Sequence, residues 1–339
     1  MLVAGSGGNV ADDRKTLIDR LREAGISRAA IKAAWPSWWT EEAGTSPSGR
    51  AELRFALARR LGLEPRPLLG ERVEFVWNDE AKFKHLSAGD EAKKAALTSF
   101  GMSVGRLLMR ATPGPPAELT PANRLRAAIM SGGPFVDLNS LLATCWAMRI
   151  PVIHLCVFPL EAKSMHAMVV SSEGRFAILL GRDASYPAPV AFTLAHELGH
   201  IMLNHLDGAP ALVDVEDPSL ARDGDDQEQE ADHYALTLLT GSAEPDIQTS
   251  LDRFNAPTLA KAVLDAAPRY GVEPGTLALC LAHRRNAWPV AMSALRFIYR
   301  ERKSARREVN GIADAELAWD ELSDESAAYL HNVMTSDDA

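Results

Sequence analysis

Apolar residues recur at three- and four-residue steps through most of the chain and alternate only briefly. RKTLIDRLREAG (14–25), SRAAIKAAW (27–35) and AELRFALARRLG (51–62) each keep one apolar face and are separated by Gly, Ser and Pro. Residues 1–70 therefore predict a helical unit, with four or five short helices from residue 13 onward. RVEFVW (72–77) is the first alternating run and predicts a strand, after which KKAALTSFGMSVGRLLM (93–109) returns to helical spacing. The Pro- and Gly-dense ATPGPPAELTP (111–121) reads as a linker closing a connecting segment, 71–120.

Beyond the linker, ANRLRAAIMSGG (122–133) and DLNSLLATCWAMR (137–149) predict helices, IPVIHLCVF (150–158) a strand, and HAMVVSSEGRFAILLG (166–181) a hairpin turning at Ser172, Glu173 and Gly174. A helix is expected to begin near Pro187 or Pro189 and to run through AFTLAHELGHIMLNHL to a stop around Gly208, and another from about Gln227 to Thr240. Residues 121–240 thus read as one unit, and 241–339 as a further helical region with an acidic tail. The fold class is α+β, a small sheet among many helices.

Along the helix that contains residues 191–206, Val190, Leu194, Leu198, Ile201, Met202, Leu203 and Leu206 leave almost no solvent face. The polar minority, Thr193, His196, Glu197, His200 and Asn204, falls on a single line at helical steps. Burying such groups without partners costs roughly 2–7 kcal/mol each, so the line needs something to bind. His196-Glu197-Leu198-Gly199-His200 says what: histidines four apart on one helix face can share a tetrahedral zinc, with Glu197 beside them as general base. A third protein ligand is needed, and the segment Glu228-Gln229-Glu230-Ala231-Asp232 offers it. At about 100° per residue Glu228 shares a face with Asp232, Ala235 and Leu239, whereas Glu230 points nearly the other way. Glu228 is the predicted ligand, and Asp232 is placed to accept the spare N–H of a ligand histidine. His205 and His233 stand either as groups that bond a tetrahedral intermediate or as ordinary core and surface histidines. FAILLG (176–181) reads either as an edge strand able to hold a peptide or as a core strand.

Bulk properties change this picture little. A net charge of −9 argues against general attraction to nucleic acid or anionic lipid. Residues 1–70 lean weakly the other way, with 11 Lys and Arg against 8 Asp and Glu. Cys145, Cys156 and Cys280 are too few and too far apart for a disulfide frame or a thiolate metal site. The first residues lack a secretory pattern and the longest apolar run is broken by Arg149, Pro151 and His154, so a cytoplasmic protein without a membrane span is expected. The acidic stretch from Asp214 to Asp226 reads as a solvated loop or as a flap over the site.

The combination FTLAHELGHIMLNH, a polar loop and EQEADHYALTLL resembles the ImmA/IrrE family of bacterial metallopeptidases. The likeness extends over residues 121–240 and more weakly through RYGVEPGTLALCLAHR (269–284). It implies a gluzincin-like small-sheet domain, zinc on His196, His200 and Glu228, and Glu197 as the catalytic base. It also implies a specific protein substrate, a transcriptional repressor encoded nearby, in a stress, phage or mobile-element circuit. Family members often carry a phage-repressor-type helix-turn-helix, and residues 13–70 resemble a diverged copy, best at ELRFALARRLGLEPRPLLG (52–70). Where a reading helix would face bases, this chain has Ala34-Trp35-Pro36-Ser37-Trp38-Trp39, poor material for major-groove readout, which leaves DNA and protein both open as its target. The rival reading is a regulatory or DNA- or protein-binding module that contains zinc and has no peptidase activity.

Overall fold

The computed structural model describes residues 10–77, 81–84, 91–161, 165–214, 226–249, 254–301 and 304–335. The chain opens with five helices, α1 (Val10–Glu23), α2 (Arg28–Ala34), α3 (Glu41–Thr45), α4 (Pro47–Leu61) and α5 (Pro65–Leu69). Local chemistry sets their ends: Ser27, Thr40 and Ser46 cap α2, α3 and α4 by accepting from backbone N–H groups, and Gly62 closes α4 at φ 69°. The predicted strand at 72–77 does not form. Phe75 makes an isolated bridge to Leu63, because the partner stretch between α4 and α5 is too short to carry a ladder.

A five-stranded sheet follows, built from β1 (Lys82–Lys84), β2 (Val152–His154), β3 (Ala167–Ser172), β4 (Arg175–Leu180) and β5 (Ala211–Asp214) in the order β1-β5-β3-β4-β2. The β3–β4 hairpin turns through Glu173 and Gly174 at φ 53° and 74°, the positive pair that a tight two-residue turn demands. β3 and β5 are antiparallel, whereas β1 joins β5 and β2 joins β4 in parallel. FAILLG is therefore an interior strand, paired with β3 over 176–180 and with β2 over 178–180, which favours the core-strand reading.

Alternation along the strands divides the sheet between two cores. Met168, Val170, Ala177, Leu179 and Val213 face α6 (Glu91–Arg110) and a core continuous with the N-terminal helices and α15 (Asp324–Met334). Ala167, Val169, Ile178, Leu180 and Leu212 face α9 (Pro187–Met202), together with α7 (Ala122–Met130), α8 (Leu138–Ala147) and α10 (Asp226–Thr240). α11 (Ala256–Tyr270), α12 (Pro274–Arg285) and α13 (Trp288–Tyr299) form a third, smaller core. Then α14 (Ala305–Glu316) returns to the sheet, where Asn310 accepts the His154 N–H through Oδ1 at 2.7 Å and donates to the His154 carbonyl from Nδ2 at 2.8 Å. One half-buried cation stitches this side together. The Arg126 guanidinium on α7 donates to the last carbonyls of α10, Leu238 and Leu239, and to Gly271 O at the end of α11.

Among the described residues Cys145, Cys156 and Cys280 form no disulfide. Among the described residues no helix is long and apolar enough to cross a membrane. Residues 215–225, most of the acidic stretch read as loop or flap, lie outside the described residues.

Candidate metal centre

Four of the five residues of the polar line expected on α9 lie inside the protein, whereas Asn204 falls beyond the helix end and is exposed. His196, Glu197 and His200 are 0% exposed and Thr193 is buried beside them, where it meets His166 Nε2 at 2.9 Å. The sheet on one side of α9 and α10 on the other cover those four residues. Gly199 permits this approach, since a Cβ there would lie 3.1 Å from the Ala231 carbonyl oxygen of α10.

α10 brings its first turns against His196 and His200. His196 Nε2 lies 3.3 Å from Glu228 Oε2, His200 Nε2 lies 3.5 Å from Glu228 Oε1, and the two Nε2 atoms are 3.0 Å apart. Ligand atoms at about 2.1 Å from a tetrahedral zinc sit roughly 3.4 Å from one another, so these separations match the edges of such a site. Ligand atoms of His196, His200 and Glu228 all fall within 4.8 Å, the grouping that phase along α10 predicted. Asp232, one turn on, accepts from His196 Nδ1 at 2.8 Å.

Electrostatics favour a cation at this point. Burial works against a proton on His196, but hydrogen bonds that the ring donates to the Asp232 and Glu228 carboxylates and the charge of Glu197 outweigh it and push the pKa up to about 10. A field that holds a proton that firmly also attracts a divalent ion, which competes for the same lone pair. Glu197 is held well above the usual carboxylate range, first by burial and then by Asp214 and Glu228, against the opposing pull of His196. Both of its carboxylate oxygens are buried with no hydrogen-bond partner among the described residues. A buried acid in that condition is costly unless the site receives a further group. Donor set, spacing and the unpartnered Glu197 together fit zinc.

Residues 184–289 match the family model described as Peptidase U49. That segment carries an ImmA/IrrE-like metallopeptidase domain. The match spans α9, β5, α10, α11 and α12, so it takes in the whole His/His/Glu cluster. No curated protein matches the chain. The metallopeptidase domain is thus an enzyme's domain, with a cluster suited to a catalytic metal.

His205 and Glu230 were both named from the sequence, but their contact with each other and with His200 was not. α9 stops at Met202 instead of running on toward Gly208, because Asn204 and Asp207 take positive φ, 58° and 48°, and reverse the chain. The His205 N–H then donates to the His200 carbonyl at 2.9 Å. The turn folds His205 back so that its Nδ1 lies 2.9 Å from His200 Nδ1, while its Nε2 meets Glu230 Oε2 at 3.0 Å. Had the helix continued, five residues at about 100° each would have placed His205 roughly 140° away from His200. The available signal was Asn204, a residue that tolerates the left-handed region. His233 is exposed and takes no part in the cluster.

Proposed function

We propose that the chain is a zinc-dependent endopeptidase that cleaves one specific protein, a transcriptional repressor or partner acting in a bacterial stress, phage or mobile-element circuit. The observation that carries the chemistry is Glu197: a carboxylate with raised proton affinity, fully buried, unpartnered, one residue from a metal-ligating histidine. In this reading His196, His200 and Glu228 hold the metal and Asp232 fixes the His196 ring by taking its Nδ1–H. Zinc, when bound, supplies Lewis-acid polarisation of the scissile carbonyl and of the attacking water.

The protein's own part is proton handling. Glu197 accepts the proton of the attacking water as its oxygen bonds to the carbonyl carbon. It then returns that proton to the amide nitrogen, which leaves as an amine as the C–N bond breaks.

The substrate class comes from the family resemblance, and the N-terminal unit, which we assign to residues 1–70, supports a protein target over duplex DNA. Its α3 has five residues and exposes Glu41 and Glu42 at the start, like charges for a phosphate backbone. Trp35, Trp38 and Trp39 are half-buried and pack edge to face, with Arg14 over Trp35. We assign 71–120 as a connecting segment, 121–240 as the peptidase core and 241–339 as a helical C-terminal region.

The test is co-incubation of the wild type and the Glu197→Gln variant with proteins encoded beside this one. A neighbour cut by wild type and left whole by the variant is the expected result. Equal cleavage by both would overturn the role of Glu197.

A further inference from the structure

The two ligand histidines differ in how their outer nitrogens end. If His196 and His200 present Nε2 lone pairs to the metal, each must carry its hydrogen on Nδ1, and that hydrogen needs an acceptor. For His196 the acceptor is the Asp232 carboxylate at 2.8 Å. For His200 it is another imidazole, His205 Nδ1 at 2.9 Å.

That contact leaves no freedom in the proton positions. His205 Nδ1 must offer a lone pair, so its hydrogen sits on Nε2, and Nε2 faces Glu230 Oε2 at 3.0 Å. A carboxylate opposite Nε2 rewards this tautomer and penalises the other, in which two lone pairs would meet. The opposite arrangement would also place a hydrogen on His200 Nε2 and remove it as a ligand. His205 is 3% exposed and is anchored by its backbone to His200 O, so the ring is held for this contact. The Glu230 side chain is 61% exposed. Water therefore screens its charge, and its effect is to select a tautomer more than to add field.

We propose that His205 and Glu230 are positioning residues that set the orientation and tautomer of the metal ligand His200, a relay in which a carboxylate acts through an intervening imidazole. The inference rests on the reading of His200 as a ligand through Nε2. It gives the centre two carboxylate-anchored imidazoles from one helix, α10: one held directly by Asp232, the other through His205.

The test uses the full chain, zinc, and a chromogenic chelator competing for it. His205→Leu is expected to weaken zinc binding about 10–100-fold. His205→Asn, whose Oδ1 can stand where Nδ1 stood and accept from His200, is expected to recover most of that loss. Glu230→Gln, whose amide oxygen still accepts from Nε2–H, is expected to weaken binding less than His205→Leu does. Side-chain nitrogen NMR of the zinc-loaded wild type is expected to show His205 with its hydrogen on Nε2. Wild-type zinc affinity in His205→Leu, or equal losses in the Leu and Asn variants, would overturn the relay, as would a His205 hydrogen on Nδ1. The NMR reading decides the matter even if His205→Leu fails to fold. His200→Ala separates the two layers of the argument: unchanged zinc affinity there would remove His200 as a ligand, whereas lost zinc there with silent His205 variants would remove the relay alone.

Discussion

α6 and α9 lie on opposite faces of one sheet and are both buried along most of their length, yet they treat polar groups in opposite ways. On α6 the buried serines are answered by the protein itself: Ser103 donates to Arg59 O at 2.6 Å, and Ser99 accepts the Trp77 N–H at 3.3 Å. Its glycines admit the sheet, with Gly105 seated on Val170. On α9 the polar line is directed at a metal centre and leaves both Glu197 oxygens without a hydrogen-bond partner among the described residues. One helix is complete as folded, whereas the other is complete only with a further group, and that distinguishes a scaffold helix from a working one.

The sharpest way to break this comparison is Glu197→Gln. Peptide cleavage is expected to fall by about two to four orders of magnitude while zinc content, read by elemental analysis, stays at the wild-type level. Loss of zinc would show that Glu197 holds the site together and is more than a proton carrier. Next comes Glu228→Ala, which is expected to lower zinc affinity by at least about tenfold and to take the thermal gain from added zinc with it. Retention of both would leave the two histidines as the whole site.

On the scaffold side, Gly105→Ala would set a Cβ 2.7–2.9 Å from Val170 Cγ1 and Cβ, atoms of a stiff side chain that cannot move aside. Denaturant unfolding is expected to show a loss of about 1–3 kcal/mol with zinc stoichiometry unchanged. If zinc were lost in proportion, the two faces of the sheet would not be independent.

The smallest effect concerns pH. Burial lowers the pKa of His154 below its usual 6.5, so the unfolded chain binds a proton there that the folded chain refuses. Stability from this group is complete above about 6.5 and declines as pH falls below it, by at most about 1.4 kcal/mol per unit. His154→Leu is expected to flatten the acid side of a stability-versus-pH curve by that amount. A slope unchanged in the variant would assign the acid loss to other groups.

The metal centre was legible where helix phase decides geometry. His196, His200 and Glu228 come together because positions four apart on α9 meet one face of α10, and both faces can be read from apolar spacing alone. The contact of His205 with His200 and Glu230 was missed for the converse reason. Their contact depends on a chain reversal at Asn204, a single backbone dihedral that periodicity does not record. β1, with three residues, is too short to carry a period, and RVEFVW alternates without a partner long enough to make it a strand. The hairpin was readable since its turn residues and its alternation agree.

Asn310 bears on how the molecule behaves in company. β2 is an edge strand of the sheet, and an edge with free N–H and C=O groups is a template on which another chain can crystallise its own strand. By pairing with both backbone groups of His154 and donating as well to Met334 O, the Asn310 amide occupies the place of an adjacent strand with a single side chain. Asn310→Ala, which leaves α14 and α15 in place, would therefore bare that edge, and its first symptom would be turbidity.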